Sequence, residues 1–185
     1  MNPPNTSREE IMRVSRKIVS EKGLPALNMR TLAKECGIAL GTLYNYYSDK
    51  DELVVAAIES VWQDILEKSA PDSGVRFSQY VMHIYARILS GLKDYPDFFA
   101  AHSISVAGSA KGKARGTMER CFGKIRGELH AALREDKNVD RSIFSETFRE
   151  EDLIEHILDT ITISIINGKP DCATLTEILD RLLYR

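Results

Sequence analysis

Ala33, Gly37 four residues later and Leu43 six after that have the spacing of two short helices joined by a sharp turn. A small Ala33 lets the helices cross closely, Gly37 permits the turn, and Leu43 packs the second helix onto the first. Such a pair can place its second helix in the major groove of DNA. Three other groupings suggest different chemistry, and each lacks a component. The segment Gly108–Gly116, GSAKGKARG, has the composition of a phosphate-binding loop, but Gly108 stands one residue too near Gly112-Lys113. Ala114 also replaces the hydroxyl that would hold magnesium, and no strand precedes the segment, so it reads as a mobile basic linker. Cys121, His130 and Glu128 could form a nucleophilic triad, yet nothing around the thiol provides a strained turn or an oxyanion site, and Cys121 reads as a core or pocket residue. His83, His102, His130 and His156 have no partner at metal-ligand spacing, so neither a metal nor a cofactor is expected. His83 and Arg87, one helical turn apart, are either solvated or directed into a cavity.

The elements that must position these residues are all helical. Ser7 with Glu10 forms a capping box for a helix carrying Ile11, Val14 and Ile18, which Gly23 and Pro25 stop. Asn28 caps a second helix running through Ala33 to Cys36, and a third lies near Leu40 to Tyr46. Ser48 with Asp51 opens a longer helix bearing Val54, Ile58, Val61 and Ile65, broken at Ala70-Pro71-Asp72-Ser73-Gly74. Helical periodicity then predicts helices over 75–93, from Pro96 through Phe98, Phe99 and His102, over 115–136, over 146–167 and over 171–183, with a polar loop near 137–142. No strand pattern or repeat competes, so the fold class is all-α.

Composition narrows the function. The 185 residues, 43% hydrophobic and 28% charged, describe a globular protein of one or two domains. The three cysteines Cys36, Cys121 and Cys172 are too few and too scattered for a disulfide framework, and a reducing compartment is the default. No secretion leader and no apolar run of membrane-spanning length is present, which predicts a cytoplasmic protein without a membrane partner. The net charge of −2 hides an asymmetry: residues 1–50 hold eight Lys/Arg against five Asp/Glu, and the remainder 17 against 22. A cationic first domain over 1–50 is therefore joined to an anionic body over 51–185, a distribution suited to a nucleic-acid partner.

The run Gly41-Thr42-Leu43-Tyr44-Asn45-Tyr46-Tyr47-Ser48-Asp49-Lys50-Asp51-Glu52-Leu53 resembles the signature of the tetracycline-repressor (TetR) family of bacterial transcription regulators. The resemblance covers roughly residues 8 to 55; beyond Leu53 only the succession of helices agrees. It implies an N-terminal three-helix DNA-binding domain, a variable helical ligand-binding body, and a homodimer on a palindromic operator. It places Leu40 to Tyr46 in the major groove, with Thr42 and Asn45 at base edges or phosphates and Leu40 at a thymine methyl. Tyr44 and Lys50 match positions that hold the backbone, with Asn28 and Arg30 as further contacts. Gly41 and Tyr46 belong to the same surface, while Tyr47, where the family usually has Phe, stays in the core. Ala39 and Leu40 depart from the polar residue and the Lys common at those positions, which makes the reading head unusually apolar.

The same resemblance implies that the last two long helices pair between subunits. Leu153, Ile157, Ile161 and Ile165, with Leu175, Ile178, Leu179 and Leu182, supply the two apolar faces expected at that interface. Tyr80, Phe98, Phe99, His102, Met118, Phe122 and Arg126 are the candidates for a small-molecule effector, expected to be largely apolar with one acceptor or anionic group. The function expected is a dimeric repressor, not an enzyme, released from its operator by that effector. The alternatives are a helix-turn-helix protein controlled by a protein partner, and a small helical enzyme.

Overall fold

In a computed structural model, the structure describes residues 6–67, 74–96, 98 and 111–184, with the backbone alone for 67, 111–118 and 121. Helix α1 (Arg8–Lys22) starts at Ser7, whose Oγ accepts from the Glu10 N–H at 3.1 Å. The carboxylate of Glu10 does not return the bond; it takes the Arg13 guanidinium at 2.6 and 2.8 Å, so only half of the capping box forms. Ile11, Val14 and Ile18 face inward, and Gly23, at φ +77°, ends the helix. Asn28 caps α2 (Met29–Glu35), and Gly37, at φ +67°, makes the turn that leads to α3 (Leu40–Tyr44). Helix α3 closes two residues earlier than its apolar pattern suggests, because Asn45, Tyr46 and Tyr47 turn away through bonds to the Thr42 and Leu43 carbonyls.

Helix α4 (Lys50–Glu67) is capped one residue later than expected. Asp49 Oδ1 accepts from the Glu52 N–H at 2.7 Å, while the Glu52 carboxylate accepts from the N–H and hydroxyl of Ser48 at 2.7 and 2.8 Å. Helices α5 (Phe77–Lys93), α6 (Lys111–Glu135), α7 (Glu150–Ile166) and α8 (Ala173–Leu183) follow. Helix α6 takes in Lys111–Gly116, so that part of the presumed basic linker is helical. Helix α7 begins four residues later than its periodicity suggests. Residues 145–148 close a turn instead, with Ser145 donating to the Phe148 carbonyl at 2.9 Å and the Phe144 and Phe148 rings stacked at 5.8 Å. Among the described residues no strand occurs, only an isolated bridge between Ser145 and Phe148.

Packing divides the chain into two units, Met1–Ile65 with Gly91–Glu119, and Leu66–Ser90 with Arg120–Arg185. The first is built around Ile11, Leu32, Leu43, Leu53, Ile58, Trp62 and Phe98, all at 1% exposure or less. The second is built around Phe77, Val81, Ile84, Leu129, Leu133, Ile154 and Ile157. Its clasp is polar: the Phe77 N–H, at the start of α5, donates to Asp136 Oδ2 and to the Tyr184 hydroxyl, both at 2.9 Å, and that hydroxyl donates to Asp136 at 2.6 Å. Burial pushes the Asp136 carboxyl up, but the bonds from Tyr184, Phe77 and Asn138 outweigh it and hold it below its ordinary value. Tyr184 is pushed up to about 12 by burial and by its bond to that carboxylate. No described helix is long and apolar enough to cross a membrane.

Candidate nucleic-acid interface

Helices α2 and α3 and the start of α4 carry the residues singled out for DNA. Leu43 is fully buried and Tyr47 only 2% exposed, which fixes α3 by its inner side and turns Gly41, Tyr44 and Asn45 outward. Tyr44 is 49% exposed, which is large for an aromatic ring. Thr42 and Leu40 are half-buried at the rim. Gly41 has open space where a Cβ would stand and an ordinary φ, so nothing inside the chain requires glycine there.

Two of the expected contacts have internal work. Asn28 Oδ1 accepts from the Thr31 N–H at 2.9 Å, and its Nδ2 donates to Thr31 Oγ1 at 2.9 Å and to the Ala26 carbonyl at 3.3 Å. Its side chain is thus spent on shaping α2. Tyr46 is half-buried; its hydroxyl donates to the Thr6 carbonyl, and its own carbonyl accepts from Arg8 at 2.9 Å. The Arg8 guanidinium then lies 5.4 Å from the centre of the Tyr47 ring, so these residues tie the end of α3 to the start of α1.

Cations sort into two groups. Arg13, Lys17 and Lys22 are paired with Glu10, Glu21 and Glu35. Arg30, Lys34 and Lys50 are exposed, and among the described residues no carboxylate pairs with them. Lys34 was not anticipated from the motif. Its signal is the four-residue step from Arg30, which puts both on one side of α2, together with the absence of an acidic residue one turn away on that side.

The candidates for effector binding fall in both units, and part of the set lies outside the described residues. Phe99 and His102, and the side chain of Met118, lie outside the described residues. Phe98 is fully buried in the first unit, its ring 6.2 Å from those of Trp62 and Tyr95. Tyr80 belongs to the second unit and lines an open cleft of about 450 Å³ together with Glu128, Glu135, Asp136 and Lys137. Three carboxylates there disfavour the anionic group that the ring and cation content suggested. Helical geometry brings Glu128 and Glu135, seven residues apart, to one side of α6. Arg126 is engaged by Glu155, and Phe122 is half-buried. Arg87, with its side chain 5% exposed, donates to Glu128 at 2.6 Å, while His83 is exposed; Glu128 is therefore committed to an ion pair. Among the described residues no three His, Cys, Asp or Glu stand close enough to hold a metal ion.

The residues expected to join subunits also divide. Leu153, Ile157, Ile161, Leu175 and Leu179 are between 0 and 7% exposed and pack inside their own chain, and Ile165 is half-buried. On α7 and α8 the large apolar side chains left outward are Ile163, Ile166, Ile178 and Leu182, at 58, 60, 56 and 38% exposure. Ile178 and Leu182, with Phe148, Leu153 and Leu175, line a groove of about 380 Å³ between α7 and α8.

Residues 11–57 match the model of the bacterial regulatory proteins of the tetR family. Among curated proteins, an uncharacterized HTH-type transcriptional regulator of Haemophilus influenzae is 32% identical over 99 residues, 47% of this chain and 53% of that protein. The HTH-type transcriptional regulator UidR of Escherichia coli K12 is 31% identical over 77 residues, 41% of this chain and 39% of that protein. The matches thus span about half or less of these relatives. Among solved structures, BioQ with its natural double-stranded DNA operator aligns with a TM-score of 0.61 at 17% identity, over 95% of this chain and 96% of that one. The multidrug binding protein EbrR complexed with proflavin aligns with a TM-score of 0.61 at 18% identity, over 95% and 98%. At these identities the structural likeness concerns the fold.

Proposed function

Because residues 11–57 make this chain a member of the tetR family of bacterial regulatory proteins, we propose that it is a dimeric DNA-binding repressor of transcription, acting in the cytoplasm and released from a palindromic operator by a small molecule. The observation that carries this reading is the exposed α3, flanked by three cations free of internal partners. Thr42, Tyr44 and Asn45 present a hydroxyl, a phenol and an amide to a base edge or phosphate, whereas every cation of α1 from Arg13 to Lys22 is neutralised within the chain. In a helix-turn-helix the first helix crosses the backbone, so Arg30 and Lys34 on α2 serve as phosphate anchors along with Lys50 and Tyr44.

In this reading residues 1–50 form the DNA-binding domain and 51–185 the effector-binding and dimerising body. Outward Ile163, Ile166, Ile178 and Leu182 meet a second copy, and the buried Leu153, Ile157, Ile161, Leu175 and Leu179 hold the helices that present them. A largely apolar effector in the body favours the dimer whose two heads no longer match half-sites about 34–36 Å apart. No catalytic step is involved. Selection of bound sequences from random double-stranded DNA tests the reading. Enrichment of a two-fold symmetric sequence supports it, and recovery of an unenriched pool overturns it.

A further inference from the structure

Where α1 meets α4 the contact is polar. Arg16, on the inner side of α1, donates to the hydroxyl of Ser60, which is 5% exposed, and its Nε lies 3.8 Å from Asp64 Oδ1. Ser60 and Asp64 are one turn apart on α4, so a single guanidinium spans both. The other oxygen of the same carboxylate, Asp64 Oδ2, accepts from the Tyr95 hydroxyl at 2.8 Å. One carboxylate therefore joins α1, α4 and the segment that follows α5.

That segment is itself fixed. A Cβ on Gly91 would lie 2.7 Å from the Ile65 side chain, so the end of α5 rests directly on α4. Tyr95 is 5% exposed, and its ring leans on Phe98, which meets Trp62 edge-on at 66°. A shift of the segment that follows α5 must then carry the Tyr95 hydroxyl with it. Apolar contacts tolerate small rotations of one helix on another, whereas hydrogen bonds weaken steeply with angle. Partly exposed ion pairs add little stability, so an apolar junction of the same volume would hold α1 on α4 as firmly; what the polar junction adds is a preferred orientation.

We propose that Tyr95, acting through Asp64 and Arg16, is a positioning residue that sets the orientation of α1, and with it the reading helix, relative to α4. The link from α1 to α3 is the bond from Arg8 to the Tyr46 carbonyl and the bond from Tyr46 to Thr6. The inference rests on the DNA-binding reading, and its experiment separates the two. The probe is the double-stranded oligonucleotide enriched by selection, with mixed-sequence DNA as the non-specific reference. Tyr95→Phe and Arg16→Met should each weaken binding to the enriched oligonucleotide by about 3- to 10-fold, and the double variant should be no weaker than the stronger single effect. Non-specific affinity and salt slope should stay unchanged, since no phosphate contact is removed. Tyr184→Phe removes a comparable tyrosine–aspartate bond in the other unit; it should lower Tm and leave oligonucleotide affinity alone. Asp64→Asn, which keeps the acceptor for Tyr95 and removes the charge facing Arg16, supplies a second cycle should Arg16→Met fold poorly. Additive effects in the cycle, or a Tyr95→Phe protein that loses Tm with unchanged affinity, would overturn the relay. Loss of about 1.8 units of salt slope in Arg16→Met, one contact from each protomer, would do so too, by making Arg16 a phosphate contact. A wild-type protein that enriches no sequence overturns the DNA-binding reading, and the relay falls with it.

Discussion

Replacing Lys34, Lys50 and Lys22 singly by alanine separates anchoring cations from internally neutralised ones. All three are exposed lysines, but Lys22 Nζ is 3.4 Å from Glu35 whereas Lys34 and Lys50 have no such partner among the described residues. Each phosphate contact contributes about 0.9 to the slope of log affinity against log salt. With Arg30, Lys34 and Lys50 engaged in both protomers, six contacts give a slope near −5, about a thousandfold loss of affinity between 50 and 200 mM salt. A lysine removed from both protomers reduces that slope by about 1.8, so the fourfold rise in salt weakens the variant roughly twelvefold less than the wild type. Lys22→Ala should leave the slope within about 0.3 of the parent, because a residue already paired releases few ions on binding. Fluorescence anisotropy of a labelled duplex at four salt concentrations measures this. Equal slopes for Lys22→Ala and Lys34→Ala would refute the assignment of anchors by their freedom from internal ion pairs.

Gly41→Ala should raise Tm slightly, since α3 gains up to about 1 kcal/mol of helix propensity and the new methyl meets open space, yet should weaken operator binding at least tenfold if DNA approaches the backbone there. Unchanged affinity would remove Gly41 from the interface. Ile178→Glu should give a folded monomer in sedimentation with operator affinity lost, whereas Ile161→Glu, at a position 2% exposed in the single chain, should fail to fold. Asp136→Asn should cost about 2 kcal/mol at neutral pH. The folded carboxyl lies below its ordinary value, so its contribution is full above that value and disappears as pH falls through the depressed one; urea midpoints of wild type and variant should converge in strong acid.

The order of helices was legible because it depends on neighbours in sequence. The spacing of Ile11, Val14 and Ile18 and the glycines at 23 and 37 are local instructions, and the chain follows them. Caps differed where a side chain had two possible partners. Glu10 turned to Arg13 instead of closing the capping box, and Asp49 took the Glu52 amide that a cap at Ser48 would have left free. The onset of α7 moved because Phe144 and Phe148 stacked across a turn, a contact with no periodic signature.

The exposure of the residues proposed to face DNA was legible for the same local reason: Thr42, Tyr44, Asn45 and Lys50 lie within nine residues around one buried leucine, Leu43, whose burial decides what faces out. The body offered no such anchor. A run at four-residue steps such as Leu153, Ile157 and Ile161 satisfies an intramolecular core and a subunit interface equally well, and the sequence alone does not say which neighbour covers it. The structure shows what the chain itself covers: Ile161 and Leu179 are nearly sealed while Ile163 and Ile178 are more than half open, each only one or two residues away. Polar pairs escape periodicity altogether: Arg87 finds Glu128 across 41 residues, and Tyr95 finds Asp64 across 31. A reading of local spacing therefore cannot find these contacts, because neither partner of either pair carries a signal in its own neighbourhood that points to the other.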